Sequence, residues 1–291
     1  MRLITNIIKE PIRILADIYY FFNTGFKKPV SFLFNFFFPY QNLRIKIDAY
    51  LTNLYQKRFI KLEKDPLKKK QLEKMYYEGL IKIENFYNFE NTELLKKLTD
   101  QKNKEELNNF VEETKKEVLD KMIYYLSFLR GETFKVDSLY LAFQLDNEVN
   151  KNDRFHTDVF SHSPKAFIYL HDVDFDGRPF LYMIGSHKDY EVRNNLEKIT
   201  NRSIYNGYST FGLKSSRIEE NINYMKDYHD KYQIFTGLVK GGTAIFVDTC
   251  GFHAKGPGIK PRYTFAVGTK RKNLINKFLS IFKIQRLIKL N

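Results

Sequence analysis

The chain predicts a mainly β protein, a sandwich or barrel of the jelly-roll kind, with a helical part before it. Three observations predict this. From about residue 133 short β-prone runs follow one another, and Gly-rich turns separate them. The stretch before them carries apolar residues at helical spacing instead.

Taken in order, residues 1–40 alternate apolar clusters with basic residues and are broken by Pro11, Pro29 and Pro39. The run from Ser31 to Pro39 is strongly apolar but falls well short of the roughly 20 residues that span a bilayer. Lys9, Glu10 and Pro11 interrupt the first apolar run, which lacks the cleavage pattern of a secretory signal. Residues 41–130 form the helical region: Leu43, Ile47, Tyr50, Leu51 and Leu54 share a face, and 105–130 reads likewise. The run Lys68-Lys69-Lys70 fits a solvated helix face.

Strands are expected at 140–145, 166–170, 180–184, 234–239, 243–247 and 262–267. Asp176-Gly177, Gly185-Ser186 and Gly241-Gly242 supply turns between them. These runs mark a core at 131–270 with an insertion at 189–233. Within the insertion Ser216-Arg217-Ile218-Glu219 matches a capping box, which predicts a helix through Ile222, Met225 and Tyr228. The tail, 271–291, places Leu274, Phe278, Ile281, Phe282 and Ile288 on one face of a basic amphipathic helix. Such a helix lies in a membrane interface or packs on the N-terminal helices.

Composition, 43% hydrophobic and 28% charged, excludes wholesale disorder. The net charge of +14 is uneven: ten Lys or Arg residues and no acidic residue follow Asp248. That balance favours anionic partners, among them a membrane surface, or reflects a lysine-rich solvated surface. No nucleic-acid recognition module is visible. A lone cysteine, Cys250, excludes an intramolecular disulfide and fits a reducing compartment. The expectation is a cytoplasmic protein with peripheral membrane contact through its basic amphipathic ends.

Chemistry is carried by His156-Thr157-Asp158, with His253 downstream and Arg262 nine residues later. On a strand His156 and Asp158 share a face. With a distal imidazole they make two histidines and a carboxylate on one side of a metal, leaving the opposite positions open, as non-haem iron(II) oxygenases require. Arg262 and Thr264 share a face of the last run, where a guanidinium fork and a hydroxyl can grip a carboxylate. The arrangement suits 2-oxoglutarate as co-substrate, with Gln144 as a further donor and Lys165 as a contact for an anionic group.

The segments Phe155-His-Thr-Asp158, Phe167-Ile-Tyr-Leu-His-Asp-Val173, Gly177-Arg-Pro-Phe180, Ile184-Gly-Ser-His-Lys188 and Gly242 to Pro257, closed by Arg262, resemble the phytanoyl-CoA dioxygenase family over residues 133–270. The resemblance implies a double-stranded β-helix binding iron(II) through His156, Asp158 and His253, with Arg262 on 2-oxoglutarate. It also implies hydroxylation of an unactivated carbon of a small-molecule or lipid- or sugar-linked substrate, and the basic residues Lys214, Arg217 and Lys226 of the insertion favour an anionic or lipid-linked one. Asp158 favours hydroxylation, because halogenating relatives lack that carboxylate. The Asp176-Gly177-Arg178-Pro179 turn is one residue longer than the family pattern.

Other residues read more plainly. His187 is a loop-fixing residue, His162 and His171 lie at the surface or at strand edges, and His229 is exposed. Cys250 is a small buried residue. Asp248 either orients a ligand histidine or caps its turn. Two rivals remain: a barrel without catalysis serving as a peripheral membrane or scaffold protein, and a cupin-like metalloenzyme that does not use 2-oxoglutarate.

Overall fold

The structure is a computed structural model that describes residues 31–87, 118–134, 139–146, 155–158, 162–191, 216–217, 230–269 and 274–289. Helices come first: α1 (Ser31–Leu62), α2 (Pro66–Glu78) and α3 (118–130). Pro39 falls within α1. Local chemistry fixes α2 at both ends. The Asp65 carboxylate accepts from the amides of Leu67 and Lys68 with Pro66 at the first helical position, and Gly79 closes the helix at φ 84°. A Cβ at Gly79 would also run into His187 and Tyr182, so backbone and packing both demand glycine.

From Gly79 the chain enters β1 (Leu80–Ile83), a strand inside the region expected to be helical. Four residues are too few for periodicity to reveal, and pairing with a distant strand decides their conformation. The others are β2 (Leu139–Asp146), β3 (His156–Thr157), β4 (Pro164–Tyr169), β5 (Phe180–Met183), β6 (Ser216–Arg217), β7 (Ile234–Gly237), β8 (Ala244–Asp248), β9 (His253–Lys255) and β10 (Arg262–Thr269). All six predicted runs are strands. The capping-box reading is overturned at its start: Ser216 and Arg217 pair with Thr157 and His156 as a strand. Four local residues specify a helix start weakly, and a sheet edge with open hydrogen-bonding groups outcompetes it. The remainder of that predicted helix, 218–229, lies outside the described residues, as does His229.

Two five-stranded antiparallel sheets result, ordered β1-β8-β4-β10-β2 and β6-β3-β9-β5-β7. From β2 to β5 and again from β7 to β10 successive strands alternate between the two sheets, while β5, β6 and β7 all lie in the smaller. This is a double-stranded β-helix. The larger sheet is covered on both sides. Ala166, Ile168, Ala244, Phe246, Phe265 and Val267 pack under helical residues such as Tyr55, Phe59, Met122 and Phe128. Tyr169, Ile245 and Val247 face inward to meet Phe180 and Tyr182 of the smaller sheet. Hence β8 is buried at all five positions and reads as a continuous apolar run.

The tail forms two short helices, α4 (Leu274–Ser280) and α5 (Ile284–Lys289), where one was expected. The break lets Ile281, Ile284 and Leu287 join the core cluster of α1 and α3, while Phe278 and Phe282 stay exposed. Lys277, fully buried on α4, pairs with Asp48 of α1 at 2.7 Å. No helix among the described residues is long and apolar enough to cross a membrane.

Candidate metal centre

Register in the smaller sheet builds the site. His156 on β3 lies directly opposite His253 on β9, which brings the two imidazoles to a 4.4 Å centroid separation. Asp158 follows β3, its amide donating to the Thr249 carbonyl, and its carboxylate turns back to the same point. His156 Nε2 lies 3.9 Å from Asp158 Oδ1, and His253 Nε2 lies 3.7 Å from Asp158 Oδ2. The three ligand atoms fall within 4.8 Å of one another, close enough to surround a single ion.

The turn before His253 aims it. Gly251 is packed so closely on the Tyr182 hydroxyl and Ser186 that no side chain fits there. Its carbonyl, which can only accept, takes the His253 Nδ1 proton at 3.0 Å and leaves Nε2 bare toward the centre. Burial lowers the His253 pKa, with Asp158 and the Gly251 carbonyl only partly offsetting it, so its neutral, metal-binding form is favoured. Burial alone would raise the Asp158 carboxyl; His253, Lys165 at 2.7 Å and His156 outweigh it and hold Asp158 well below the usual carboxylate range. Lys165 thus meets an anionic group, and that group is the candidate ligand Asp158.

On β10, Phe265 and Val267 face the helices, so Arg262 and Thr264 face the barrel interior. Arg262 is 5% exposed and already engaged: it donates to Asp146 at 2.5 Å and to the Arg178 carbonyl at 2.5 Å. Lys255 adds a second cation to Asp146 at 2.9 Å. Arg178 belongs to the lengthened turn and adopts φ 55°, a left-handed conformation that costs a residue with a Cβ about 1 kcal/mol. Arg262 Nε and the buried Thr264 Oγ1 have no hydrogen-bond partner among the described residues. Gln144 lies across the ladder from Thr264 but is exposed.

Sequence reasoning missed Asp146 and Lys255. The spacing His253-x-Lys255 was the available signal for the lysine, since alternate strand residues share a face. His162 is corrected as well: it is 4% exposed, and its Nδ1 contacts Asp248 Oδ2 directly. Asp248 caps its turn, Oδ1 accepting from the amides of Ser163 and Cys250, and makes no described hydrogen bond to His156 or His253. His171 Nε2 accepts from the Tyr263 amide at 3.1 Å. His187 is buried with Nε2 3.3 Å from the Tyr76 carbonyl, and Cys250 is buried.

No family model and no curated protein sequence matches the chain. Among solved structures it is similar to the epimerase SnoN in complex with Fe3+, alpha ketoglutarate and nogalamycin RO (12% identity, TM-score 0.47, 70% of this chain and 84% of that one). It is also similar to EvdO2 from Micromonospora carbonacea var. aurantiaca (10% identity, TM-score 0.44, 68% and 89%). A third is HygX from Streptomyces hygroscopicus, solved with nickel and 2-oxoglutarate bound (13% identity, TM-score 0.40, 69% and 86%).

Proposed function

We propose that the protein is an iron(II)- and 2-oxoglutarate-dependent oxygenase. The carrying observation is the convergence of His156 Nε2, the Asp158 carboxylate and His253 Nε2, with His253 neutral and in the metal-binding tautomer. The orphaned Thr264 Oγ1 and Arg262 Nε, buried beside a guanidinium and the Lys255 ammonium, fit the far carboxylate of a diacid. Iron(II) and 2-oxoglutarate supply the oxidising chemistry when bound. The chain's part is to fix the ligand set on one side, keep His253 deprotonated, and hold the diacid from β10. We further propose, in line with the resemblance to the phytanoyl-CoA dioxygenase family, that the reaction is hydroxylation of an unactivated carbon, and, from the basic residues Lys214, Arg217 and Lys226, that the substrate is an anionic or lipid-linked small molecule.

The test is anaerobic addition of iron(II) and 2-oxoglutarate. A metal-to-ligand charge-transfer band in the wild type that is lost in His156→Ala supports the assignment. Its absence from the folded wild type, or its persistence in that variant, refutes it.

One observation favours a second reading. Asp146 sits on Arg262 and Lys165 sits on Asp158, as in a barrel whose polar groups satisfy each other. On that reading the protein is a non-catalytic scaffold at a membrane surface, reached through the exposed Phe278 and Phe282 beside Lys283. It predicts vesicle binding, with neither the charge-transfer band nor 2-oxoglutarate turnover.

A further inference from the structure

A cavity of about 300 Å³ opens between α1 and the end of the barrel, and none of the candidate ligands lines it. Its described lining includes Lys46, Tyr50, Tyr76, His162, His187 and Lys188, and includes no carboxylate. Two carboxylates do lie beneath it, and each is already matched. Asp48 accepts from Lys277 at 2.7 Å and from the His162 amide at 3.3 Å. Asp248 takes the His162 ring at Nδ1. That contact fixes the ring and, because the ionised Asp248 can only accept, leaves Nε2 without a proton.

The cations above have no such match. Lys46, Lys57 and Lys188 form no ion pair with a described carboxylate. The Lys188 ammonium rests over the Tyr76 ring at 3.4 Å and the Tyr77 ring at 4.7 Å. Partial burial first, then the charge of Lys57, push the Lys188 pKa down to about 8. Like charges gathered around a concave, aromatic-walled space are unfavourable until an anion enters it.

We propose that this cavity is a second binding site, separate from the metal centre, which takes a phosphate monoester. Lys188 and Lys46 donate to the phosphoryl oxygens, and His162 Nε2, bare because Nδ1 donates to Asp248, accepts from a phosphoryl O–H. A monoanionic phosphoryl group, which carries acceptor oxygens and one O–H, matches two ammonium groups and a bare imidazole nitrogen better than a carboxylate does. The tyrosine rings accept the organic part of the ester. The volume is at the lower end of small-molecule sites, enough for a phosphoryl group with a modest substituent. The site stands whether or not the protein is an oxygenase.

Isothermal titration calorimetry of the full chain with phenyl phosphate tests this, with inorganic phosphate, sodium benzoate and phosphatidic acid vesicles as parallel arms at matched ionic strength. The expected result is one saturable site for phenyl phosphate, weaker for inorganic phosphate, absent for benzoate and not exceeded by the vesicles. Lys188→Gln and His162→Asn should each weaken it about tenfold or more, a loss of about 1.4 kcal/mol per decade. Lys240→Gln, at an exposed lysine paired with Asp172, should leave it unchanged. Lys188 is half-buried and outside the core, so its variant reports even if His162→Asn misfolds. The proposal is overturned by no saturable binding up to about 10 mM, a range covering even weak sites. It is equally overturned by binding that survives Lys188→Gln or vanishes in Arg262→Gln, by benzoate binding as tightly as the ester, or by binding only to vesicles.

Discussion

Asp146 is the register partner of Arg262 across β2 and β10, and its carboxylate lies 2.5 Å from the guanidinium that we propose holds the co-substrate. An internal carboxylate thus occupies the position that an incoming one would seek. Lys255 completes the arrangement from β9, so two cations share one anion at the inner face of the barrel.

Asp146→Asn should therefore raise the affinity for 2-oxoglutarate, by about three- to tenfold if one charge-assisted hydrogen bond is released. Titration of the charge-transfer band against 2-oxoglutarate measures it; weaker binding in the variant would show that Asp146 supports the guanidinium and does not compete for it.

The same pair sets a pH limit. Burial opposes ionisation of Asp146, but Arg262 and Lys255 outweigh it and hold the pKa below its ordinary value. A depressed carboxylate contributes stability above its unfolded pKa of about 4, and that contribution is lost as pH falls through the folded value. Thermal melts of wild type and Asp146→Asn between about pH 6 and pH 2 should converge at the acid end.

On the proposed ligand set, Lys165 competes with the metal for Asp158. Removing its ammonium in Lys165→Gln should tighten iron(II) or cobalt(II) binding several-fold, since the carboxylate loses a cation 2.7 Å away. Anaerobic metal titration decides it, and an unchanged or weaker constant would assign Lys165 to orienting the ligand.

Gly251→Ala asks for a Cβ where the Tyr182 hydroxyl already sits. The turn must shift, and with it the carbonyl that holds His253 Nδ1. Metal affinity should fall by about ten- to a hundredfold, as when groups that orient a ligand are lost. A fold that stays intact by circular dichroism, with metal affinity unchanged, would remove the turn from the account.

Lys277 and Asp48 form a buried pair linking α4 to α1. Lys277→Ala leaves Asp48 without its cation and should cost about 3 kcal/mol or more of stability. Asp48→Asn combined with Lys277→Met should recover part of that loss. Denaturant unfolding of the two variants measures the difference.

The six predicted strands were legible because alternation and apolar runs are local properties, strongest in β8 where both faces are covered. His156 and Asp158 were legible for the same reason, being two residues apart. What pairs with what was not. Asp146 meets Arg262 only because β2 and β10 align in one register, and no pattern within either strand records that. His162 looked peripheral because its partner Asp248 is far along the chain. Ser216-Arg217 carried a local helix signal that an open strand overrode, and β1 was too brief to show a period amid helices.

That brief strand settles how the molecule hangs together. Leu80–Ile83 supplies the outer neighbour of β8, a strand buried at all five of its positions. A chain shortened to begin after α3 would leave β8 with a bare, water-insoluble border, ready to zip onto the same border of another copy. The helices and the barrel are therefore one inheritance unit: trimming the first to obtain a tidier second should yield aggregates instead of folded protein.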